Sequence, residues 1–185
     1  TSAQEAVHTL RRFEALHRIL DILMNTADDT AYEEILKVLL EKTCSKHGVF
    51  GYLDEDGALV LPVTGETAGK GSVESPQVNV FPPHTWGNTA GARALREKQL
   101  ICSNEPSGNA PSSCMPIYRQ ISVPVLCNDK VLALIQVANK EADYSPGDAA
   151  FLEDIAGAMA PALEKRLFQQ RQARTQQHAE ETLQN

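Results

Sequence analysis

The sequence predicts an α+β fold in which an antiparallel sheet is covered by helices on one face and by a short helix and loops on the other. Three observations lead there. Tyr118 to Leu126 and Lys130 to Ala138 are two strand-like runs separated only by Cys127-Asn128-Asp129, which reads as a tight hairpin. The second run, Val131 to Val137, is apolar at both alternating sets of positions. A strand with one solvated face would alternate, so this sheet is covered on both sides. Helical spacing dominates both ends of the chain, from Ser2 and again from Gly147.

The elements follow in order. Ser2 to Asn25 reads as a helix, with Leu10, Phe13, Leu16, Leu20 and Leu23 recurring every three or four residues in one apolar stripe. After a break at Thr26 to Asp29, a second helix opens on the capping box Thr30-Ala31-Tyr32-Glu33 and ends at Gly48 as a left-handed cap. Val49 to Leu53 and Ala58 to Val63 flank Asp54-Glu55-Asp56-Gly57, a hairpin signal. Thr64 to Pro76 is a polar, glycine-rich loop, and Gln77 to Phe81 a third strand ended by Pro82-Pro83. Thr85 to Lys98 is a short helix, followed by a strand at Leu100 to Ser103 and a loop or lid at Asn104 to Pro116. The last helix carries Phe151, Leu152, Ile155, Met159, Leu163 and Leu167 on one stripe, with Pro161 inside it as an expected kink. Beyond Phe168 the composition turns to Gln, Arg, Glu and Ala, a solvated helix or a partner-dependent coil. The domain division that follows is an N-terminal helix at 1–29, a globular unit at 30–165 and a connecting helix at 166–185.

Composition narrows the function classes. The 185 residues carry a formal charge of −7, and their basic residues form no extended patch. A nucleic-acid partner is therefore not expected, because phosphate neutralisation needs one. No apolar run approaches the roughly 20 residues that cross a bilayer. There is no signal-peptide pattern, so a cytoplasmic location is expected. The chain begins at Thr1, which reads as a piece of a longer protein. Cys44, Cys102, Cys114 and Cys127 form no C-x-x-C pair, so zinc is not expected and free thiols are.

Ile121-Ser122-Val123-Pro124-Val125, the strand Leu132 to Ala138, and then Asn139-Lys140, Tyr144 and Asp148 resemble the closing signature of the GAF domain. Tyr144 stands where that signature has Phe, and Ala149 where it has a final Glu. The resemblance spans roughly 30–163. It implies an antiparallel sheet of five or six strands between two helical layers, and a ligand pocket beneath the short helix and the lid. Asn139, Lys140, Tyr144 and Asp148 read as structural: a Lys140–Asp148 pair would pin the start of the last helix to the sheet edge. The incomplete signature does not point to a cyclic nucleotide.

Candidate ligand contacts are His84, Trp86, Asn88, Thr89, Cys114, Met115, Tyr118 and Gln136. His84 could meet an anion, but a lone His beside prolines is more often a plain hydrogen-bonding residue. Trp86 serves either as a pocket wall or as ordinary core. Asn88 and Thr89 can cap the short helix, whose free amides suit an anion. Haem is disfavoured because His84 is a lone His beside prolines, and bilin because no His neighbours Cys102 or Cys114. Another GAF family reduces free methionine sulfoxide with thiols at the start of the short helix and in the lid. Here that start reads Trp86-Gly87-Asn88, without a thiol.

The expected function is that of a sensory, small-molecule-binding domain of a larger signal-transduction protein, not an enzyme. A sensor histidine kinase of a two-component system, a cyclic-dinucleotide enzyme or a transcriptional regulator would suit as its parent. Signals would pass through the terminal helices, with a parallel homodimer formed along them. The alternatives are a thiol-dependent methionine sulfoxide reductase and a ligand-free interaction module.

Overall fold

The structure is a computed structural model that describes residues 1–62, 79–109 and 116–184. Its helices are α1 (Ser2–Asn25), α2 (Thr30–Thr43), α3 (Ala90–Glu97) and α4 (Pro146–Leu183). The strands are β1 (His47–Leu53), β2 (Leu59–Leu61), β3 (Asn79–Phe81), β4 (Ile101–Ser103), β5 (Ser107–Asn109), β6 (Pro116–Ile117), β7 (Gln120–Cys127) and β8 (Lys130–Ala138). Six of them form one antiparallel sheet in the order β3-β2-β1-β8-β7-β4. β5 and β6 pair separately, inside the stretch expected to be a plain loop. Residues 63–78 and 110–115, which hold most of the glycine-rich loop and the centre of the lid, lie outside the described residues.

The β7–β8 hairpin closes through Asn128 and Asp129 alone, both left-handed at φ 50° and 65°. Two successive left-handed residues give the turn whose twist matches antiparallel strands, and Asn and Asp tolerate it. Register then sets the faces. Ile121, Val123 and Val125 lie opposite Val137, Ile135 and Ala133, all buried against α1, α2 and α4. The alternate positions of β8 point to α3, where Leu134 joins Leu59, Ala94 and Leu95, with Trp86 and Phe81 at the margin. The central strands are thus buried on both faces, the helical layer being thick and the α3 layer thin.

Several local expectations give way to tertiary contacts. α2 stops at Thr43, and Cys44 takes the left-handed cap at φ 55° while Ser45 N donates to Leu40 O at 3.0 Å. Gly48 is a strand residue: a Cβ there would lie 2.7 Å from Gln136 O and 2.9 Å from Leu36 and Leu40 side-chain carbons. Its glycine therefore serves close approach, not capping. The capping box at Thr30 does not form. Thr30 gives its hydroxyl to Asp28, and Glu33 faces Lys37 at 3.8 Å. His47 lies in β1, not in a helix. α4 runs unbroken through Pro161.

α1 differs most from its expected single stripe. Ala15, Ile19 and Leu23 are its buried residues, whereas Leu10 and Phe13 are 57% and 67% exposed. α1 lies parallel to α4, as Arg12–Asp154 (3.0 Å) at one end and Arg166 to Leu23 O (3.1 Å) at the other require. It lies antiparallel to α2, through Lys42–Glu14 at 3.1 Å and Thr26–Glu34 at 3.5 Å.

Arg166 ties these helices together. Its buried guanidinium donates to the carbonyls of Leu23, Thr26 and Asp28, at and just beyond the end of α1. Helix-end carbonyls carry partial negative charge, so a cation there is favoured. The same group lies 5.4 Å from the centre of the Tyr32 ring, a cation–π contact. Tyr32 itself stands 5.3 Å from both Phe50 and Tyr52 and donates to Gln170 Oε1 at 3.1 Å.

Ile135, fully buried at the centre of the sheet, tests the packing. Urea unfolding of Ile135→Ala should show a loss of about 2–5 kcal/mol, and of Ile135→Val about 0.5–1.5 kcal/mol.

Candidate functional site

The α3-facing side of β7 and β8 is apolar at Leu134 and polar at one end. Gln120 and Ser122 alternate with Ile121 and Val123, so they leave the helical layer and turn to the thin one. Gln136 sits opposite Ser122 on β8. Its Nε2 donates to Gln120 Oε1 at 2.7 Å and to Ser122 Oγ at 3.0 Å. Gln120 Nε2 donates in turn to Ser107 Oγ of β5 at 3.0 Å. Gln120 and Ser122 are buried and Gln136 half-buried. Two amides and two hydroxyls thus form a chain from the middle of the sheet to the start of the lid.

α3 begins directly above this chain. Thr89 caps it, its Oγ1 accepting from Ala92 N at 3.2 Å. Gly91 is buried over β8: a Cβ there would lie 3.0 Å from Leu134 Cδ2 and 3.9 Å from both amide atoms of Gln136. A side chain at Gly91 would therefore press on the apolar Leu134 and crowd Gln136. The first turn of a helix has amides without intrahelical partners, so a hydrogen-bonding ligand would meet donors from α3 and an adaptable amide from β8.

Of the expected ligand contacts, Gln136 belongs to the chain, and Thr89 is exposed and caps the helix above it. Trp86 lies beside it as a wall of the small apolar cluster, its Nε1 donating to Phe81 O at 2.8 Å. His84 is exposed in the 3-10 turn Pro83–Thr85, and Asn88 is exposed before α3. Tyr118 is 52% exposed, and its backbone N donates to Asn139 Oδ1. Cys114 and Met115 lie outside the described residues. Gln120, Ser122 and Ser107 were not among the expected residues. The polar–apolar alternation of Gln120-Ile121-Ser122-Val123 is the signal that would have found the first two.

The signature residues form a separate, structural knot. Asn139, left-handed at φ 61°, accepts from Tyr118 N at 2.8 Å and donates to Pro116 O at 2.9 Å, fixing the approach to β7. Tyr144 is buried, its hydroxyl 2.6 Å from Ser45 Oγ, and its backbone is held on both sides by Asn104. Lys140 Nζ meets Asp148 Oδ2 at 2.8 Å. Asp148 also accepts from Ser145 N at 2.9 Å, and Ser145 Oγ accepts from Asp148 N, a complete capping box for α4. Burial alone would raise the Asp148 carboxyl. Lys140 and the Ser145 amide outweigh it and hold the group below the usual carboxylate range.

Cys44, Cys102 and Cys127 are free. Burial, with the Asp148 charge, pushes the Cys102 thiol up, away from the nucleophilic thiolate. No group of three or more potential metal ligands occurs among the described residues. No helix among them is long and apolar enough to cross a membrane. A cleft of about 270 Å³ lies between the Asp54–Asp56 turn and the far half of α4. There Arg171 donates to Leu53 O at 3.3 Å and Arg174 to Tyr52 Oη at 3.2 Å, contacts that hold α4 against β1.

A family profile described as the GAF domain matches residues 25–164. Among solved structures, the GAF domain of an Acinetobacter phosphoenolpyruvate-protein phosphotransferase superposes with a TM-score of 0.61 at 14% identity, covering 83% of this chain and 92% of that one. A free methionine-R-sulfoxide reductase from Neisseria meningitidis, in complex with its substrate, gives 0.59 at 19% identity, covering 88% and 91%. The A. aeolicus nlh2 GAF domain in an inactive state gives 0.58 at 14% identity, covering 86% and 99%. A search of curated proteins finds no match. At these identities the likeness is one of fold.

Asp148 yields a pH test. A carboxyl whose pKa is depressed on folding stabilises the fold above its unfolded pKa, and that contribution is lost as pH falls through the folded value. Asp148→Asn should therefore lower the urea midpoint at pH 7. It should also reduce the further loss on acidification below about pH 4.

Proposed function

From the premise that the chain belongs to the GAF domain family, we propose that it is a sensory module that binds a small polar molecule between α3 and the sheet. The observation that carries this reading is the Gln136–Gln120–Ser122–Ser107 chain beneath the start of α3. A sheet interior is most simply filled with apolar side chains, and buried polar groups cost free energy unless they are paired. Here the amides spend part of their capacity on each other, and Gln136 keeps a half-exposed position under α3. No charged side chain takes part in the chain's hydrogen bonds among the described residues, so the ligand's inner end is an uncharged hydrogen-bonding group.

The proposed output follows the packing. The two faces of β7 and β8 share one backbone, so a ligand that shifts α3 or β8 alters the surface on which α1, α2 and α4 rest. It transmits a signal only if it binds two arrangements of the domain with different affinity. The parent would be a larger signal-transduction protein in the cytoplasm, of the sensor histidine kinase, cyclic-dinucleotide or transcription-regulator kind.

The reductase reading draws on the fold shared with the Neisseria enzyme. Against it stand the raised Cys102 thiol and the absence of a Cys in Trp86-Gly87-Asn88. Turnover of free methionine sulfoxide that disappears in Cys102→Ser or Cys114→Ser would replace the sensor reading with this one.

Native mass spectrometry and a thermal-shift screen against a metabolite library test the proposal. A true ligand at 100 times its Kd should raise the melting temperature by roughly 5–10 °C. Gln136→Leu should abolish that shift while keeping the far-UV circular dichroism of the parent. An empty domain that responds to nothing in a broad library would leave the interaction-module alternative standing.

A further inference from the structure

The cleft of about 270 Å³ between the β1–β2 turn and the far half of α4 has walls of opposite charge. One wall is helical: Leu167, Gln170, Arg171 and Arg174 recur at helical spacing and share one face of α4. The other wall is the turn itself, with Asp54, Glu55 and Asp56. Leu167 and Tyr52, both buried, supply its apolar lining.

The charges on the two walls do not neutralise each other. Arg171 donates to Leu53 O and Arg174 to Tyr52 Oη, both uncharged acceptors, and neither forms an ion pair among the described residues. A guanidinium has five N–H donors, so most of theirs remain. Gln170 accepts from Tyr32 Oη through its Oε1 and keeps its Nε2 as a further donor. Across the cleft, Asp54 Oδ1 accepts from Asp56 N and Ala58 N, both at 2.9 Å, which engages it in shaping the turn. The exposed Glu55 and Asp56 carboxylates have no such task, and no ion pair among the described residues. His178, also on the helical wall, faces Glu181 at 3.8 Å.

Donors on one wall and acceptors on the other define what fits. A phosphate or sulfate would meet the arginines but also two carboxylates, and like charges at close quarters repel. A metal ion finds no group of three ligands among the described residues. A molecule that carries both charges satisfies both walls, and its carboxylate gains charge-assisted hydrogen bonds from the guanidiniums. The volume lies below the usual range of drug-sized sites, which limits the occupant to a small metabolite. We propose that the cleft binds a free α-amino acid, its carboxylate on Arg171 and Arg174 and its ammonium on Glu55 and Asp56. The same two arginines anchor α4 on β1. The bound carboxylate therefore competes with Leu53 O and Tyr52 Oη for their donors and bears directly on how α4 is held.

The cleft shares no residue with the site under α3, so the inference is independent of the proposed ligand there. Isothermal titration of the whole chain with each proteinogenic amino acid in turn should find at least one that binds. Its N-acetyl and its carboxamide derivatives should each bind at least about tenfold more weakly, as loss of one charged hydrogen-bonding group requires. Glu55→Gln with Asp56→Asn, both on the exposed turn, should weaken the free amino acid by a similar factor and remove the penalty for N-acetylation. Arg171→Gln with Arg174→Gln should remove the penalty for the carboxamide. Should the arginine pair unfold the chain, as circular dichroism would show, the turn pair decides alone. A chain that binds none of the amino acids overturns the proposal. So does a binder whose preference for a free ammonium persists in the turn pair, and one that also disappears in Gln136→Leu belongs under α3.

Discussion

β7 and β8 are buried on both faces, and most of the molecule is arranged to meet that demand. Leu134 and Ile135 are consecutive, yet one joins the α3 cluster and the other the core under α1, α2 and α4. A slip of one residue would exchange the two faces and set Gln120, Ser122 and Gln136 into the helical core. The two-residue turn at Asn128 and Asp129 fixes the pairing of Cys127 with Lys130, and a bulge between Val125 and Leu126 shifts it by one residue to the pairing of the central positions. Once register is set, one face accepts three helices and the other receives, among the described residues, the eight-residue α3 and the 3-10 turn before it.

That asymmetry shapes the chemistry available. The thick layer is sealed by apolar packing and, among the described residues, has a single charged residue in its interior, Arg166. Its charge is not met by a carboxylate but by three carbonyl oxygens at the end of α1 and by the Tyr32 ring. The thin layer has room for amides and hydroxyls because α3 is short and Gly91 lets its first turn come close to β8. A polar patch and a packed helical layer thus lie back to back on one sheet.

The terminal helices are part of the domain's packing, not appendages to it. α4 is held at its start by Lys140 and the Ser145 cap, in its middle by Arg166, and farther on by Arg171 and Arg174. These contacts reach α1, the α1–α2 connection and β1 in turn. The direction in which α4 leaves the domain is therefore fixed by groups on three other elements. The polar composition after Phe168 indicates a helix that gains little from the domain itself, and tertiary anchors compensate for it over its first two turns.

Periodicity and turn chemistry are local properties, and the sequence by itself determined what depends on them. The β7–β8 hairpin, the two-sided burial of β8, the three longer helices and the Lys140–Asp148 spacing were all legible as patterns of polarity along the chain. Features that depend on which residues meet across space were decided only by the tertiary structure. Gly48 resembles a helix cap but is required by the approach of Leu36, Leu40 and Gln136 O. Leu10, Phe13, Leu16, Leu20 and Leu23 look like one stripe, because spacings of three and four cannot tell two opposite faces of a 24-residue helix apart when both are apolar. The amide chain at Gln136 was half visible: one member stood out, while Gln120, Ser122 and Ser107 became its partners only when β5, β7 and β8 were brought together. Hydrogen-bond partners 13 to 16 residues apart leave no trace in local composition, and only the folded register of β7 against β8 brings those groups within reach.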